Sequence, residues 1–440
     1  MVGGIWLTEN KKRPGAYINV KTNVINNSIS GRGTVIMPLA LNWGSDKLMT
    51  VNAETDFYSV LGYELNDEEL LPLRECLKRA NQVLVYKLNG GTKATATVGN
   101  LTITAVNGGS RGNDITCVIE LDTESDASDV DVYTVETYLA GVLVDSQTAT
   151  EIANLRKNRF VDFGGSGAFT VTAGVTLSGG TDNEITVADY SKFLETAQVE
   201  KFDVMAVGSD DVSVKALVTK FIKRLREDEG MAVQAVLADY VAANHEGIIS
   251  VKNGVVLADG TVIDKNKAVY WVAGATAGAN INESNTYSVY EDSIGVDTKF
   301  LNSEIISALN EGSFVFTQTS KGASVEQDIN TFTDFSATKG NIIRKNRVLR
   351  VLDALSNDIK ELFNTYFLGK VNNDDDGRNI FKAQILSYLE SLQSMSAITN
   401  LDKQNDVVVS AGSEADSVVV NLAVMPVDSI EKLYMTVVVS

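Results

Sequence analysis

Apolar and polar positions alternate near the start of the chain, and its last residues are almost all strand-forming. "RPGAYINVKTNVIN" follows the period of two that is typical of an extended strand, and no matching run follows within hairpin distance. The chain closes with "EKLYMTVVVS", which carries no charge after Lys432. Because an uncovered apolar strand presents unpaired N–H and C=O groups, we expect both segments to pair with another chain, most simply a second copy.

Strand and helix patterns alternate in two separate stretches, residues 31–89 and 183–335. In the first stretch "GTVIMPLALNW" and "QVLVYKL" are predicted strands, and "DEELLPLRECLKRA" is a predicted helix that opens with acids and closes with bases. In the second, the helix pattern "DVSVKALVTKFIKRLREDEG" precedes the strand patterns "MAVQAVLAD" and "GIISV". This alternation is typical of a parallel sheet covered by helices, so we predict one α/β domain built from both stretches.

The composition changes sharply between these stretches. Residues 90–182 are rich in Gly, Thr, Val and Asp, and short strand patterns such as "NLTITAV", "DITCVIEL" and "VDVYTVETYL" are separated by turn residues. Strands at this spacing predict a β-sandwich, here inserted into the α/β domain.

Residues 336–440 predict an α+β domain that ends in the strand-forming tail. One helix pattern places Val348, Leu352, Leu355, Ile359 and Leu362 on a single face, and a second pattern begins near Arg378. Two further strand patterns, "DVVVSA" and "SVVVNLAV", precede the tail. The predicted divisions are an N-terminal arm at 1–30, α/β segments at 31–89 and 183–335, the β-sandwich at 90–182 and the C-terminal domain at 336–440.

Charge and hydropathy restrict the possible partners. The formal net charge of −19 over 440 residues argues against a nucleic-acid partner, because phosphate binding requires a basic face. No apolar run reaches the ~18 residues that span a bilayer, so we expect no membrane insertion. The first residues lack a cationic segment leading into an apolar one, which predicts a protein that starts in the cytoplasm.

Candidate catalytic and metal-binding residues are few. His245 is the only histidine, and no serine lies in a GxSxG motif, which disfavours a Ser-His-Asp hydrolase. Cys76 and Cys117 are too few for a disulfide framework or a CxxC metal site, and we expect both to be buried. "NNDDDGRN" at 372–379 begins like a calcium loop but has Ala383 where the bidentate acid belongs, so Asp375 or Asp376 is predicted to cap a helix instead. We therefore expect no enzyme activity, cofactor or metal.

One basic stretch interrupts the acidic sequence. No acid lies between Asp334 and Asp353. The stretch is either a solvated helix face or a contact surface for an acidic partner, which includes another copy of this chain. Its basic residues are Lys339, Arg344, Lys345, Arg347 and Arg350.

Longer segments at the N-terminus and across residues 220–440 carry a family resemblance. They include "RPGAYINV", "LREDEGMAVQAVLADYVAANHEGIISVKNGVVL", "AVYWVAGATAGANINESNTYSVYEDS", "DINTFTDFSATKGNIIRKNRVLRVLDALSNDIKELF", "YFLGKVNND" and "PVDSIEKLYMTVVV". Together these segments resemble contractile tail sheath proteins of Gram-positive phages and phage-tail-like bacteriocins, of the PBSX and diffocin kind. The segment 90–182 matches the family only in composition and position.

The resemblance implies a fold and a mechanism. It implies a subtilisin-like central α/β domain that is not a protease, and subunits stacked in six-fold rings around an inner tail tube on a baseplate. Contraction of this sheath would drive the tube through a bacterial envelope without nucleotide hydrolysis. The implied partners are copies of the chain, the tube protein, and baseplate and tail terminator or collar proteins. The implied location is the host cytoplasm during assembly, then a virion tail or a released tail-like particle.

The resemblance also implies that the terminal arms join neighbouring subunits by adding strands to their sheets. The rival predictions are a tail-tube or other structural tail protein, a subtilisin-like hydrolase, and a surface adhesin or S-layer protein. The predicted N-terminal arm residues are Ala16, Tyr17, Ile18, Asn19 and Val20, and the C-terminal ones are Leu433, Tyr434, Met435, Thr436, Val437, Val438 and Val439.

Overall fold

The computed structural model describes residues 31–122 and 131–439, together with the backbone of Gly3–Gly4 and Ala16–Tyr17. The chain divides into two compact units, and the division falls inside a helix. The larger unit comprises Gly31–Asn357 and Pro426–Ser440, and the smaller unit comprises Met1–Ser30 and Asp358–Met425.

Helices in the described part of the chain are numbered α1 to α8. Several begin at side-chain caps that the sequence supplies: Asp211 accepts the Ser213 N–H at 2.7 Å and starts α4, and Asp264 accepts the Asn266 and Lys267 N–H groups at 2.9 Å and starts α5. The helices are α1 Phe57–Leu61, α2 Leu71–Leu77, α3 Val187–Ala197, α4 Val212–Glu227, α5 Lys265–Gly278, α6 Asn302–Asn310, α7 Asn346–Leu362 and α8 Asp375–Ser394.

A seven-stranded sheet forms the centre of the larger unit. The strand Thr34–Leu39 pairs in parallel with Val204–Val207, which joins the two stretches that the sequence separates by more than 160 residues. Six strands are parallel, and only Met49–Val51 runs antiparallel, at one edge. The spatial order is Ser313–Phe314, Ile248–Val251, Gln234–Ala238, Val204–Val207, Thr34–Leu39, Gln82–Lys87 and Met49–Val51.

Helices cover both faces of this sheet and form two cores. On one face α2 and α5 pack with Val35, Val83 and Val236, and on the other α3 and α4 pack with Ile36 and Met205. The strands are buried on both faces, which explains their nearly continuous apolar sequences. The chain is therefore a multidomain α/β protein, as predicted.

The predicted β-sandwich is present between the two α/β stretches. Its core includes Trp43 from the α/β segment together with Ile103, Ile119 and Val161. One sheet contains, in order, Val142–Ala149, Tyr133–Leu139, Ile115–Leu121 and Thr172–Thr176, the second contains Val161–Gly164, Leu101–Ala105 and Thr95–Val98, and Thr181–Asp182 pairs with Gly91–Thr92 where the domain joins the chain.

Two small antiparallel sheets complete the larger unit. They lie against α5 and the central sheet through Val255, Val296 and Phe316. Their strands are Val262–Ile263, Val255–Leu257 and Ser293–Val296 in the first, and Phe316–Thr319 and Gly322–Val325 in the second.

The smaller unit is built around α8 and a two-stranded hairpin, Val407–Ala411 with Val418–Leu422, which we call the C-terminal hairpin. The predicted apolar stripe of α8 is buried at Phe381, Ile385, Leu389 and Leu392. The predicted cap was wrong by one position: Asp374, rather than Asp375 or Asp376, accepts the Gly377 N–H at 2.8 Å. A cap lies outside the helix, and α8 already begins at Asp375.

The predicted terminal strand is not formed within this chain. Residues 427–439 contain no strand, and no other strand in the described residues pairs with them. A strand requires hydrogen bonds to a second strand, so the apolar sequence alone is insufficient. None of the described helices is both long and apolar enough to cross a bilayer.

Candidate functional site

The most unusual surface of the molecule is its C-terminal segment. We call residues 433–439 the C-terminal arm. All seven are exposed, and Leu433, Tyr434 and Val439 each leave more than 80% of their surface in solvent. Exposed contiguous apolar residues mark interaction sites in soluble proteins. The arm is therefore a candidate for contact with another chain.

The C-terminal hairpin offers backbone groups that such a strand could bind. The Gly412 N–H donates to the Ser417 carbonyl, and the Ala423 N–H donates to the Asp406 carbonyl, both at 2.9 Å. Hydrogen-bonded and non-hydrogen-bonded residue pairs alternate along an antiparallel hairpin. These two bonds therefore show which residues bond to the partner strand and which point their N–H and C=O groups outward. The residues whose N–H and C=O groups point away from the partner strand are Val407, Val409 and Ala411 on one edge, and Val418, Val420 and Leu422 on the other.

A cleft of about 100 Å³ lies beside one end of this hairpin. Its apolar wall includes Phe363 and Phe367 from the π-helical turn that continues α7, and both rings contact Phe381 of α8, at centroid distances of 5.6 and 4.6 Å. π-Helical turns are rare and are frequent at functional sites.

Polar side chains form the other wall of the cleft and hold the hairpin turn. The Asn373 side-chain amide donates to the Ala415 and Ser417 carbonyls, both at 2.9 Å, and Arg378 donates to the Asn373 side-chain oxygen at 2.9 Å. The cleft and hairpin are thus one connected surface, and the side chains of Leu368 and Ile380 near it are exposed.

The segment that precedes the arm is held within the larger unit through the side chain of Glu431. Glu431 forms an ion pair with Lys345 and accepts a hydrogen bond from the Thr286 hydroxyl at 2.9 Å. The side chain of Glu431 is only 11% exposed. Burial tends to raise the pKa of this carboxyl, but the Lys345, Thr286 and Ser429 hydrogen bonds outweigh it and lower the pKa, so the group is charged at neutral pH.

The predicted basic contact surface is wrong for Arg347 and Arg350, which are buried. Arg350 lies beside the buried Asp328 at 3.6 Å and donates to the Glu283 carbonyl at 2.5 Å, while Arg347 donates to the Asn282 carbonyl at 2.8 Å. α7 is buried on nearly every side over its first turns, so residues beside its apolar stripe are enclosed as well.

The other three basic residues are also placed by contacts within the chain. Lys339 pairs with Glu246 at 2.7 Å, Lys345 pairs with Glu431, and Arg344 is half-buried. Burial lowers the pKa of Arg344. Lys339 and Arg344 therefore keep part of their surface for an outside partner, whereas Lys345 is occupied by Glu431.

The predicted N-terminal arm is described at two of its five residues. Ala16 and Tyr17 form a short strand that pairs in parallel with Gly3–Gly4. The remaining residues of that prediction, Ile18, Asn19 and Val20, lie outside the described residues.

His245 is held in a buried structural position. Its Nδ1 accepts the Gly247 N–H at 3.0 Å, and its Nε2 lies 3.2 Å from a Glu227 carboxylate oxygen, so the ring is neutral with the proton on Nε2. No serine hydroxyl is among its hydrogen-bond partners in the described residues. Cys76 and Cys117 are both buried and free, and burial raises the pKa of the Cys117 thiol to about 11.

Sequence reasoning missed Glu431, Thr286 and the cleft. Glu431 meets its partners across 86 and 145 residues of sequence. The only local signal is that Glu431 and Lys432 are the last charges before an uninterrupted uncharged tail.

Four family models match consecutive parts of the chain. The phage tail sheath protein central domain matches residues 183–331, and the phage tail sheath C-terminal domain matches 338–440. The N-terminal region of domain III of the tail sheath protein Gp18 matches 32–88, and the phage tail sheath β-sandwich domain matches 89–184.

Solved structures and curated relatives agree with these matches. The sheath tail protein of Desulfitobacterium hafniense is 45% identical with a TM-score of 0.87, covering 96% of this chain and 99% of its own. The sheath tail protein of Listeria innocua is 37% identical with a TM-score of 0.80, covering 93% and 95%. The phage-like element PBSX protein XkdK of Bacillus subtilis is 37% identical over 99% of both chains.

The fold likeness extends further. The contracted helical sheath of the anti-feeding prophage shares the fold at 11% identity, with a TM-score of 0.60 over 97% of this chain. The domain matches and the close relatives together leave one family: this chain belongs to the phage tail sheath proteins and is a structural subunit of a contractile tail sheath, not an enzyme.

Proposed function

We propose that the chain polymerises as stacked six-fold rings around an inner tail tube and contracts to drive the tube through a bacterial envelope, without hydrolysing a nucleotide. The observation that carries this proposal is the exposed apolar C-terminal arm, which has no strand partner among the described residues of its own chain. Seven residues in a strand span about 23 Å at ~3.3 Å each, which is long enough to reach a neighbouring subunit.

The surface that receives the arm is the C-terminal hairpin of a neighbouring copy. Its outward N–H and C=O groups can hydrogen-bond an added strand, and each such bond contributes ~0.5–1.5 kcal/mol net. Alternate arm side chains, at Leu433, Met435, Val437 and Val439, are apolar and suit the apolar wall of the neighbouring cleft. Repeated along a polymer, these joints hold subunits together while the polymer changes shape.

The N-terminal arm, Ala16–Val20, is proposed to make a second joint of the same kind. Lys339 and Arg344 are the residues of the basic stretch that are available for an acidic partner, such as another copy of this chain or the tube.

The remaining proposed partners are the inner tube protein, baseplate proteins and tail terminator or collar proteins, with no nucleic acid and no membrane insertion. The net charge of −19 supports the exclusion of nucleic acid. The proposed location is the bacterial host cytoplasm during assembly, and then a virion tail or a released tail-like particle. For the central domain, we propose a subtilisin-like architecture, supported by its mostly parallel sheet with helices on both faces.

Electron microscopy of the purified chain, with and without tube protein, tests this function. We expect striated tubes with helical symmetry from the full chain. Deletion of Leu433–Ser440 should abolish the tubes while circular dichroism shows a folded monomer. Monodisperse monomers that persist in the presence of tube protein would contradict the sheath polymer, and normal tubes from the truncated chain would contradict the arm.

A pair of hairpin variants tests the receiving edge. Val420→Pro removes an outward N–H and leaves the bonds within the hairpin intact, so we expect it to prevent tubes without unfolding the monomer. Val420→Thr keeps that N–H at the same position and should still form tubes. Tubes from Val420→Pro would exclude this edge as the receiving one and direct attention to the Val409 edge.

A further inference from the structure

One side chain in the exposed tail is enclosed. Ile430 is 97% exposed and Leu433 is 83% exposed, yet the side chain of Glu431 between them is only 11% exposed. Its Oε2 pairs with Lys345, and its Oε1 accepts from the Thr286 hydroxyl at 2.9 Å and from the Ser429 hydroxyl at 3.3 Å. Apart from the bond of the Ser429 N–H to the adjacent Asp428 side chain, every hydrogen bond and ion pair that we find between residues 429–439 and the rest of the described chain passes through this carboxyl.

The partners of Glu431 are themselves fixed to the core of the larger unit. The Thr286 hydroxyl also accepts the Asp328 N–H at 3.0 Å, and Asp328 is buried. Asp328 in turn accepts the Asn346 side-chain amide at 2.8 Å, at the start of α7. Lys345 immediately precedes α7, and its carbonyl accepts the Leu349 N–H at 2.9 Å. Glu431 is thus attached to residues that are hydrogen-bonded to the buried Asp328 and to the first turn of α7.

We infer that Glu431, with Lys345 and Thr286, is the fixed root of the C-terminal arm and sets the point and direction in which the arm leaves its subunit. The residue acts by positioning the arm and makes no contact with the neighbouring copy. The root belongs to the larger unit, whereas the C-terminal hairpin that precedes it in sequence belongs to the smaller unit.

A fixed root shortens the free tether. With the root in place, residues 432–440 are free; without it, the free segment begins after the strand Met425–Pro426 and comprises residues 427–440. Effective concentration falls roughly as the −3/2 power of tether length, so an increase from nine to fourteen residues lowers it about 2-fold. Loss of the fixed direction lowers it further. The consequence for assembly rests on the proposed function, but the position of the root does not.

Spin-label distances in the monomer test the root directly. Labels at Tyr434→Cys and Lys321→Cys report on the arm and on the larger unit, and the native Cys76 and Cys117 are buried and do not compete for the label. We expect a narrow distance distribution in the otherwise native chain and a broad one after Glu431→Ala or Lys345→Met. Lys432→Met is the matched control, because it removes the neighbouring charge and leaves Glu431 and its partners intact.

A charge exchange separates positioning from folding. The double variant Lys345→Glu with Glu431→Lys restores the ion pair, so we expect it to restore the narrow distribution. In the same series, the lowest protein concentration that supports tubes should rise at least 2-fold for Glu431→Ala and return toward its original value in the double variant.

The possible outcomes distinguish the inference from the proposed function. A distribution that stays narrow in Glu431→Ala overturns the root, whether or not tubes form. A distribution that broadens while the tube threshold stays unchanged supports the root and contradicts the role of the arm as a tether. Melting temperatures within 2 °C of the native chain confirm that the variants are folded, and Lys345→Met provides the test if Glu431→Ala fails to fold.

Discussion

Single charged residues in the larger unit are matched to particular partners over long distances in sequence. Arg226 forms two hydrogen bonds with Asp353, at 2.9 and 2.7 Å, and both side chains are almost fully buried. Removing one partner of such a pair typically costs 3–5 kcal/mol, because it leaves an uncompensated buried charge. Arg350 of the basic stretch is likewise matched to the buried Asp328, which explains why this part of the stretch is internal structure instead of a surface patch.

His245 should make the stability of the folded chain depend on pH. Burial lowers its pKa, and Arg226 and Lys223 act in the same direction, whereas Glu246 and Glu227 oppose it. Because the folded pKa lies below the unfolded value of about 6.5, protonation favours the unfolded chain. The free energy of unfolding should be highest above pH ~6.5 and should fall as the pH is lowered below that value. The total loss is about 1.4 kcal/mol for each unit by which folding lowers the pKa of His245. Urea midpoints measured from pH 8 to pH 5 check this.

His245→Asn is the control for that measurement. An Asn side-chain oxygen can accept the N–H two residues later, as His245 Nδ1 does from Gly247, but it does not titrate. We expect the urea midpoint of this variant to change less between pH 7 and pH 5 than the midpoint of the native chain. Equal slopes in the two proteins would show that other groups, such as carboxylates, account for the dependence.

At the scale of elements, the packing of α5 depends on how closely neighbouring backbones approach it. α5 is buried nearly all round, and of its Gly274 and Gly278, four residues apart, the first faces α2 and the second faces the turn that follows α2. A Cβ at Gly278 would stand 1.9 Å from the Arg79 carbonyl oxygen, and one at Gly274 would stand 2.3 Å from that of Cys76. The sequence "AVYWVAGATAGA" predicts a helix, but only the packed pair shows why glycine is required there.

Gly278→Ala should therefore destabilise the larger unit by about 1–3 kcal/mol, since the helices must separate to admit the methyl group. Thermal or urea unfolding of the purified monomer measures the change. Gly340→Ala is the matched control, because a Cβ there meets nothing within 4 Å, and it should change stability by less than about 0.5 kcal/mol. Equal effects of the two substitutions would argue that α2 and α5 can adjust without cost.

At the scale of the whole molecule, net charge opposes self-association. Identical subunits that each carry −19 repel one another, so the contacts that hold a polymer together must overcome this repulsion. If the proposed function holds, we expect free monomers to stay apart until the arms, the hairpins or a tube template join them.

Salt should therefore promote tube formation. Raising the ionic strength from about 0.02 to 0.3 M shortens the Debye length to below ~8 Å, and we expect the protein concentration needed for tubes to fall several-fold. Light scattering and electron microscopy across a salt series measure the threshold. The chain without Leu433–Ser440 is the control and should remain monomeric at every salt concentration. A threshold that does not change with salt would show that charge repulsion does not limit assembly.

Local chemistry in the sequence determined the individual elements. The stripe of α8, the cap of α4 and the strand runs of the central sheet are properties of neighbouring residues, which a periodic pattern reports directly. The resemblance to sheath proteins likewise depends on contiguous segments. The apolar tail predicts a strand that needs a partner, and this stays a prediction.

Only the tertiary structure decided which distant residues meet. The burial of Arg350 beside Asp328, the attachment of Glu431 to Lys345, and the contact of Gly274 with α2 depend on backbones brought together across tens to hundreds of residues. Side-chain type does not specify such partners, because the same arginine is favourable either in water or against a buried carboxylate. The fold selects between these alternatives through the space and the hydrogen-bonding groups that it places around each side chain.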